Sequence, residues 1–424
     1  MTRRPFVAEA LATWRALGLD AADLRMLADR RLAHVLRVAR RTPFYGRRLR
    51  DAGIGSGREL REDTARAVLS RLPPVTKQDL RAAGPGVLAG GRVQRTWRSS
   101  RSSGSTGEPF RVYYDRRAWL LLKHIVKLRA RAACGVGPVD RVAILDASLP
   151  NEHRPSLLER AGRVRRISVL ESRDAIAARL AEFGPHSVYG LPSVLLDVAG
   201  SMCDADCIRP GRIFTSGELL LPSTRRRLVE RFGCPVFDIY GTSETKEVAW
   251  ECPDGSRHVN ADVVLVEVLD DTWNPLPPGE EGQIVVTLLV NEAMPLLRYR
   301  TGDRGALQSG QCRCGLATPL LGVVSGREAD VLELDAGQRL SSYALTCALE
   351  QVERVQRYRV DQVDRSGLLV RAILDPGAVA GTMEERIRAA LTPVVPRTLR
   401  LTIEFVDALP DGRGPKSRVV FPMA

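Results

Sequence analysis

Apolar positions recur at helical spacing through the first part of the chain, Leu24, Leu27, Ala28, Leu32, Val35, Leu36 and Ala39 among them, so the stretch from Pro5 to Gly53 predicts an N-terminal helical region. "LPPVTKQDLR", Leu72 to Arg81, reads as an extended segment followed by a capped helix start. Further on, short β-like runs (Val142 to Leu145, Ser187 to Tyr189, Arg212 to Phe214, Val236 to Ile239) alternate with helical ones (Arg117 to Ala133, Asp174 to Glu182, Ser223 to Arg231). That alternation predicts an α/β domain with a mainly parallel sheet. From Asn260 the pattern becomes strands without intervening helices, Val263 to Leu269 and Gly282 to Val290, joined by the turn-rich "NPLPPGEEG". Gly302, Gly305, Gly310 and Gly315 are expected to keep the stretch beyond broken up. After "GREAD", Gly326 to Asp330, helix and strand signals alternate again, which puts a domain boundary between 1–326 and 327–424.

Length supports more than one domain, since 424 residues exceed the size at which a single core stops growing. With 44% apolar and 27% charged residues the composition is that of a globular protein. No apolar run approaches the roughly 18 residues of a membrane span, and "MTRRPFVAEALATWRALG" is interrupted by Glu9 and carries no small-residue cleavage site, so a cytoplasmic location and no membrane partner are expected. The net charge of +13 is mostly Arg and is spread along the chain. Such a field serves nucleic acid, an acidic membrane or a polyanionic small molecule. Zinc-finger, basic-zipper and RNA-binding sheet signatures are missing, so nucleotide-like anions are the favoured partner class and nucleic acid is not. The eight cysteines argue against a disulfide framework. Cys134, Cys203, Cys207, Cys234 and Cys347 read as ordinary small residues, whereas Cys252, Cys312 and Cys314 do not.

The chemistry concentrates in a few stretches. "RSSRSSGSTGEPFRVYY", Arg98 to Tyr114, packs hydroxyls and glycines that suit anionic oxygens. It lacks the Lys that ends a G-x-x-x-x-G-K-[ST] loop, and taken alone it is equally a solvated flexible loop. Four more stretches follow: "FDIYGTSETKEVAWEC" (Phe237 to Cys252), "MPLLRYRTGDRG" (Met294 to Gly305), "GREADVLEL" (Gly326 to Leu334) and "DGRGPKSRVV" (Asp411 to Val420). Singly they read as a helix start with Thr or Ser as its cap, a charged turn and an exposed tail. Ser243 to Lys246 also matches S-x-x-K, but the S-D-N and K-T-G partners of that hydrolase set are absent.

In this order the five stretches resemble the adenylate-forming superfamily of acyl-CoA synthetases, peptide-synthetase adenylation domains and luciferases, and most closely its phenylacetate-CoA ligase branch with the CapK-like proteins. The resemblance runs from "TPFYGRRLRDAGI" near Thr42 to Lys416. It implies an α/β fold with a large N-terminal adenylation domain, β-rich in part, and a small mobile α+β C-terminal domain. It makes Ser102, Ser103, Gly104, Ser105, Thr106 and Gly107 the loop against the β- and γ-phosphates of ATP. Ser216, Gly217 and Glu218 are implied beside the adenine, with Asp238, Tyr240 and Gly241 adding to that wall. Thr242 would contact the α-phosphate, and Glu244 would hold Mg²⁺, a hard cation suited to a carboxylate plus substrate phosphates. Asp303 would accept both ribose hydroxyls with Arg327 nearby, Asp330 would be the hinge, and Lys416 would reach the transferring group. Tyr189, Gly190 and Pro192 are implied as walls of the acid pocket.

"ECPDGSRHV" and "GQCRCG" supply Cys252, His258, Cys312 and Cys314, a Cys₃His set suited to structural Zn²⁺. Cys-x-Cys is tighter than the usual spacing, some members of the branch carry such a site, and four unpaired core residues are the alternative. Two departures from the branch matter. The turn after the hinge is "LELDAGQRLSSYAL" in place of the branch's Gly-rich Arg-Gly-Val-Asn-Val-Phe-Pro, closer to the CapK-like variant. After Glu244 the branch has small residues near the acyl pocket, while this chain has Lys246-Glu247-Val248. A charge there points to an acid or acceptor unlike phenylacetate, or to a solvent-facing turn. The expected function is an ATP-dependent acid ligase that forms an acyl-adenylate and passes the acyl group, of an aryl or related acid, to the thiol of CoA. A ligase using an amine or other acceptor and a non-catalytic nucleotide-binding relative are the alternatives. The oligomeric state is left open, a homodimer included.

Overall fold

The computed structural model describes residues 6–55, 57–101, 110–146, 157–201, 208–327, 331–335, 338–349, 352–409, 419–421 and 423. The chain divides into two compact units, residues 1–138 with 237–324 and residues 139–236 with 325–424.

The first unit opens with the helices Phe6–Arg15, Ala21–Arg40 and Pro43–Asp51, as the periodicity predicts. Ala21–Arg40 starts where the Asp20 carboxylate accepts the Asp23 N–H at 2.8 Å, and it buries Leu24, Ala28, Leu32, Val35, Leu36 and Ala39 on one face. The helix Lys77–Ala83 begins in a capping box: Thr76 accepts the Asp79 N–H at 3.1 Å, and Asp79 accepts the Thr76 N–H at 2.8 Å. The helical run after the Ser/Gly stretch forms as Arg116–Leu120 and Val126–Ala133, with a π-helical segment at Leu121–Ile125 between them. A sheet in this unit has the strand order Val264–Leu269, Gly282–Leu288, Tyr299–Gln308, Leu320–Arg327, Arg257–Val259, Lys246–Glu251, Val236–Thr242. Asp262 ties helices to this sheet, accepting from Arg31 at 3.1 Å and from the buried Arg129 at 2.5 Å.

The expectation that Gly302 and Gly305 interrupt the chain is corrected: a continuous strand, Tyr299–Gln308, runs through both. Gly302 takes a left-handed φ of +81°, and the register against Gly282–Leu288 shifts between Gln283 and Val285. The glycine is absorbed as a bulge instead of a break.

In the second unit the strands Arg212–Ser216, Ser187–Gly190, Val142–Asp146 and Val164–Ser168 lie in that order and run parallel. The helices Arg173–Phe183, Pro192–Ser201 and Pro222–Phe232 supply Ile176, Leu180, Leu195, Val198, Leu228 and Phe232 to its core. The strand Val164–Ser168 and the helix Pro192–Ser201 were not predicted. Val164–Ser168 is an edge strand whose Arg166 pairs with Asp146 and Glu159, so its charges hide its strand character. A separate core of Leu332, Leu345, Val360, Val370, Ile387 and Val420 holds the four-stranded sheet Arg400–Phe405, Gly367–Leu374, Val355–Asp364, Val420–Phe421 with the helices Ser342–Leu349 and Ala380–Leu391. Among the described residues no helix is long and apolar enough to cross a membrane.

Candidate active site

The centre of the first unit's chemistry is the tight turn between the strands Val236–Thr242 and Lys246–Glu251. Thr242 pairs with Lys246 across the hairpin, and Gly241 with Glu247. Only glycine fits at 241, because a Cβ there would lie 2.1 Å from the Lys246 carbonyl oxygen. The Thr242 hydroxyl accepts the N–H groups of Glu244 at 3.2 Å and Thr245 at 3.1 Å, so Thr242 does cap, but the helix start read from "YGTSE" is corrected to a turn inside a hairpin. Tyr114 locks the turn from below, its hydroxyl donating to the carbonyls of Ser243 at 3.1 Å and Glu244 at 2.6 Å.

Glu244 is 5% exposed. Its carboxylate meets the Lys77 ammonium at 2.9 Å and the Tyr299 hydroxyl at 3.3 Å. Burial alone would raise this carboxyl, but the hydrogen bond and charge of Lys77 hold it below the ordinary glutamate range. A buried carboxylate already facing a cation has the donor chemistry Mg²⁺ requires, so Glu244 fits the metal role. Two residues on, Lys246 takes a φ of +64°. Its ammonium donates to the Ser243 carbonyl at 2.9 Å and stands 5.1 Å from the Tyr114 ring centre and 5.5 Å from that of Trp119. Burial, then the charges of Lys123 and Lys127, pull it down to a pKa of about 7. Lys246 is therefore packed against aromatic faces and not set on a solvent-facing turn.

Tyr240 reaches across the same sheet and donates to Asp303 at 2.9 Å. Asp303 is in turn held by its own N–H on the Thr301 hydroxyl at 3.1 Å, so two of the named nucleotide residues are joined directly. Asp238 is buried and accepts from Arg257 at 2.8 Å, which commits one face of its carboxylate to the protein.

In the second unit, Tyr189 and Gly190 end one parallel strand and Ser216 ends its neighbour, with Gly190 opposite Thr215. Both groups thus sit at carboxyl ends of adjacent strands, where open α/β sheets bind ligands. Gly217 has a φ of +88°, and Glu218 accepts the N–H and hydroxyl of Ser193, both at 3.0 Å, at the start of the helix that Pro192 opens. Ser102 to Gly107, Asp330 and Lys416 lie outside the described residues. Arg327 ends the strand Leu320–Arg327, with its side chain also outside them.

The four zinc candidates converge. One donor atom each of Cys252, His258, Cys312 and Cys314 lies within 4.8 Å of every other. Cys252 and Cys312 sulfurs are 3.6 Å apart, Cys314 Sγ is 3.2 Å from His258 Nε2, and His258 Nδ1 is 2.7 Å from the Thr318 hydroxyl. Thiolates on a tetrahedral zinc at about 2.3 Å are separated by roughly 3.7 Å, so the donor set and its spacing fit the ion. The Thr318 contact orients the imidazole as an outer-shell partner does. Burial pushes the Cys252 thiol up to about 12 and lowers His258.

Sequence reasoning missed Lys77, Tyr114, Tyr299 and Arg257. Only Lys77 left a trace, as the first residue after the cap in "VTKQDL"; the other three act through contacts distant in sequence.

Residues 102–287 match the family described as AMP-binding enzyme. A phenylacetate-CoA ligase of Thermus thermophilus is 28% identical over 94% of this chain and 95% of its own, and one of Escherichia coli is 27% identical over 94% of each. The CapK protein of Staphylococcus aureus is 23% identical over 57% of this chain and 53% of its own. Among solved structures, 2-hydroxyisobutyryl-CoA ligase with its acyl-adenylate superposes with a TM-score of 0.79 at 20% identity, over 96% of this chain and 91% of that one, a likeness of fold. The chain thus carries an AMP-binding enzyme domain and is similar over nearly its whole length to phenylacetate-CoA ligases, which supports an AMP-forming acid–CoA ligase.

Proposed function

We propose that the protein activates an aryl or related carboxylic acid with ATP and transfers the acyl group to the thiol of CoA. The observation that carries this reading is the hairpin turn: a hydroxyl at Thr242, a buried carboxylate at Glu244 and the Tyr240–Asp303 pair lie on one sheet. Glu244 would hold Mg²⁺, which when bound neutralises charge on the phosphate oxygens. A carboxylate oxygen of the acid attacks the α-phosphorus, the bond to pyrophosphate breaks, and pyrophosphate leaves. Thr242 positions the α-phosphate, Asp303 accepts the ribose hydroxyls, and Tyr240 holds Asp303 in place. Ser216, Gly217, Glu218, Asp238 and Gly241 border the adenine, with Arg327 near the ribose. Ser102 to Gly107 cradle the outer phosphates. Lys416, on the domain 327–424 that turns about Asp330, stabilises the charge that grows on the transferring group. The CoA sulfur then attacks the acyl carbon and AMP leaves.

Cys252, His258, Cys312 and Cys314 would hold a zinc ion that pins the strand Arg257–Val259 to the 312–314 turn, a structural role away from the reacting atoms.

The test is acid-dependent exchange of pyrophosphate into ATP, followed by product mass with CoA or with amines. Lys416→Ala should keep ATP binding and lose at least about a hundredfold of adenylation. Near wild-type exchange in that variant removes Lys416 from the mechanism, and no exchange with any acid overturns the adenylation reading. An amide in place of a thioester overturns the CoA assignment.

A further inference from the structure

The lysines around the hairpin are more numerous than the reaction needs. Lys246 is held in a left-handed backbone, which a residue with a Cβ adopts at a cost. Its ammonium sits against Tyr114 and Trp119, with Lys123 and Lys127 close enough to repel it. Lys123 shares the Trp119 ring, its ammonium 4.5 Å from the centre. Strained backbone, burial and like charge all oppose this arrangement.

The nearby carboxylates go to other lysines. Glu247, itself buried, pairs with Lys127 at 3.1 Å, and Glu244 pairs with Lys77 at 2.9 Å. Among the described residues no carboxylate lies within ion-pair distance of the Lys246 ammonium, whose partners are a carbonyl and two rings. A second feature marks the same place. Lys123 stands on the π-helical segment Leu121–Ile125, a local widening of the helix that recurs at functional sites. That widening changes which side chains the helix turns toward the hairpin, and Lys123 is on it.

We propose that Lys246 and Lys123 recognise a second anionic group on the acid, so that the substrate class is carboxylic acids carrying a further carboxylate or comparable oxyanion. This rests on the adenylation reading, because Lys246 belongs to the turn that holds Thr242 and Glu244. One carboxylate meets the α-phosphorus at the turn, and the second group compensates the ammonium two residues away. Trp119, partly exposed beside the two lysines, supplies a flat apolar face for the body of the acid between its two charges, while the buried Tyr114 backs Lys246 from the core. An acid without a second charge would leave Lys246 in its strained, half-desolvated place with no counter-charge, which is the basis for discrimination.

The experiment compares matched pairs of acids, phenylacetate against homophthalate, butyrate against succinate and hexanoate against adipate, with the full chain. Each pair is measured by calorimetric binding and by acid-dependent pyrophosphate exchange. The expected result is that at least one dianionic acid is preferred over its partner by about tenfold or more in both readouts, as one charged hydrogen bond implies. In Lys246→Met and in Lys123→Met the preference ratio should fall toward one. Equal or greater use of the monoanionic acids by the wild type, or a preference retained in both variants, overturns the inference. Exchange with monoanionic acids and no preference leaves the adenylation reading intact and removes this one. Lysine-dependent binding of a dianion without any exchange does the reverse.

Discussion

Replacing Lys77 by Met should convert Glu244 from a stabilising group into a destabilising one, and the sign of the effect is set by pH. In the wild type, burial raises the Glu244 carboxyl and Lys77 more than offsets it, so the folded pKa is depressed. A depressed acid contributes stability that is present above its unfolded pKa and lost as pH falls through the folded value. Between pH 5 and 8 that contribution is therefore constant. Without Lys77 only burial and weaker hydrogen bonds remain, so the folded pKa rises above the unfolded one. The linkage then reverses, and stability present at low pH is lost as pH rises through the folded value. Removing one partner of a fully buried pair costs about 3–5 kcal/mol. The Lys77 side chain is 30% exposed against 6% for Glu244, so water screens the pair and about 2 kcal/mol is the appropriate figure near pH 8. Much less should be lost at pH 5, where the carboxyl takes up a proton. The assay is urea unfolding of both proteins at the two pH values in chelator, repeated with Mg²⁺. Mg²⁺ should restore stability to Lys77→Met at pH 8, because a dication replaces the lost ammonium beside Glu244. A loss that is equal at both pH values, or absent at both, refutes the assignment of Lys77 as the group that keeps Glu244 ionised.

Gly241→Ala puts a Cβ 2.1 Å from a backbone oxygen, so the hairpin must shift, and pyrophosphate exchange should fall roughly a hundredfold as expected for a displacement of about 1 Å; undiminished exchange would detach the turn from the chemistry. Thr106→Val should weaken ATP roughly tenfold to a hundredfold and leave AMP unchanged, checked by calorimetry with each nucleotide; equal losses would place the loop away from the outer phosphates. Protein purified without chelator should carry about one equivalent of zinc by elemental analysis, and its removal should lower the melting temperature before it lowers exchange; zinc-free protein of full stability would leave four plain side chains.

What the sequence made legible follows from the range of the forces involved. The N-terminal helices were readable because their stripe, Leu24 to Ala39, repeats locally, and the start at Lys77 because Thr76 and Asp79 cap within three residues. The zinc candidates were readable because cysteine and histidine are conspicuous even when 60 residues separate Cys252 from its neighbour Cys312. Val164–Ser168 was hidden because an edge strand can carry arginines whose partners, Asp146 and Glu159, lie elsewhere in the chain. The ten-residue strand through Gly302 was hidden because a bulge admits a positive φ that local reading takes as a break. Lys246 combines both limits. Its charge was visible at once as foreign to that turn, yet its meaning depends on Tyr114, Trp119, Lys123 and Lys127 from more than a hundred residues earlier in the chain. Those neighbours remove the reading in which the lysine merely faces solvent, because an ammonium in free water has no need of two aromatic faces, a carbonyl and a strained backbone to hold it. The turn at Thr242 to Lys246 owes its local shape to Thr242 and Gly241, but Tyr114, Lys77, Tyr299 and Trp119 from other parts of the chain give Glu244 and Lys246 their surroundings, which is why the motif was legible in the sequence and the setting of its two charges was not.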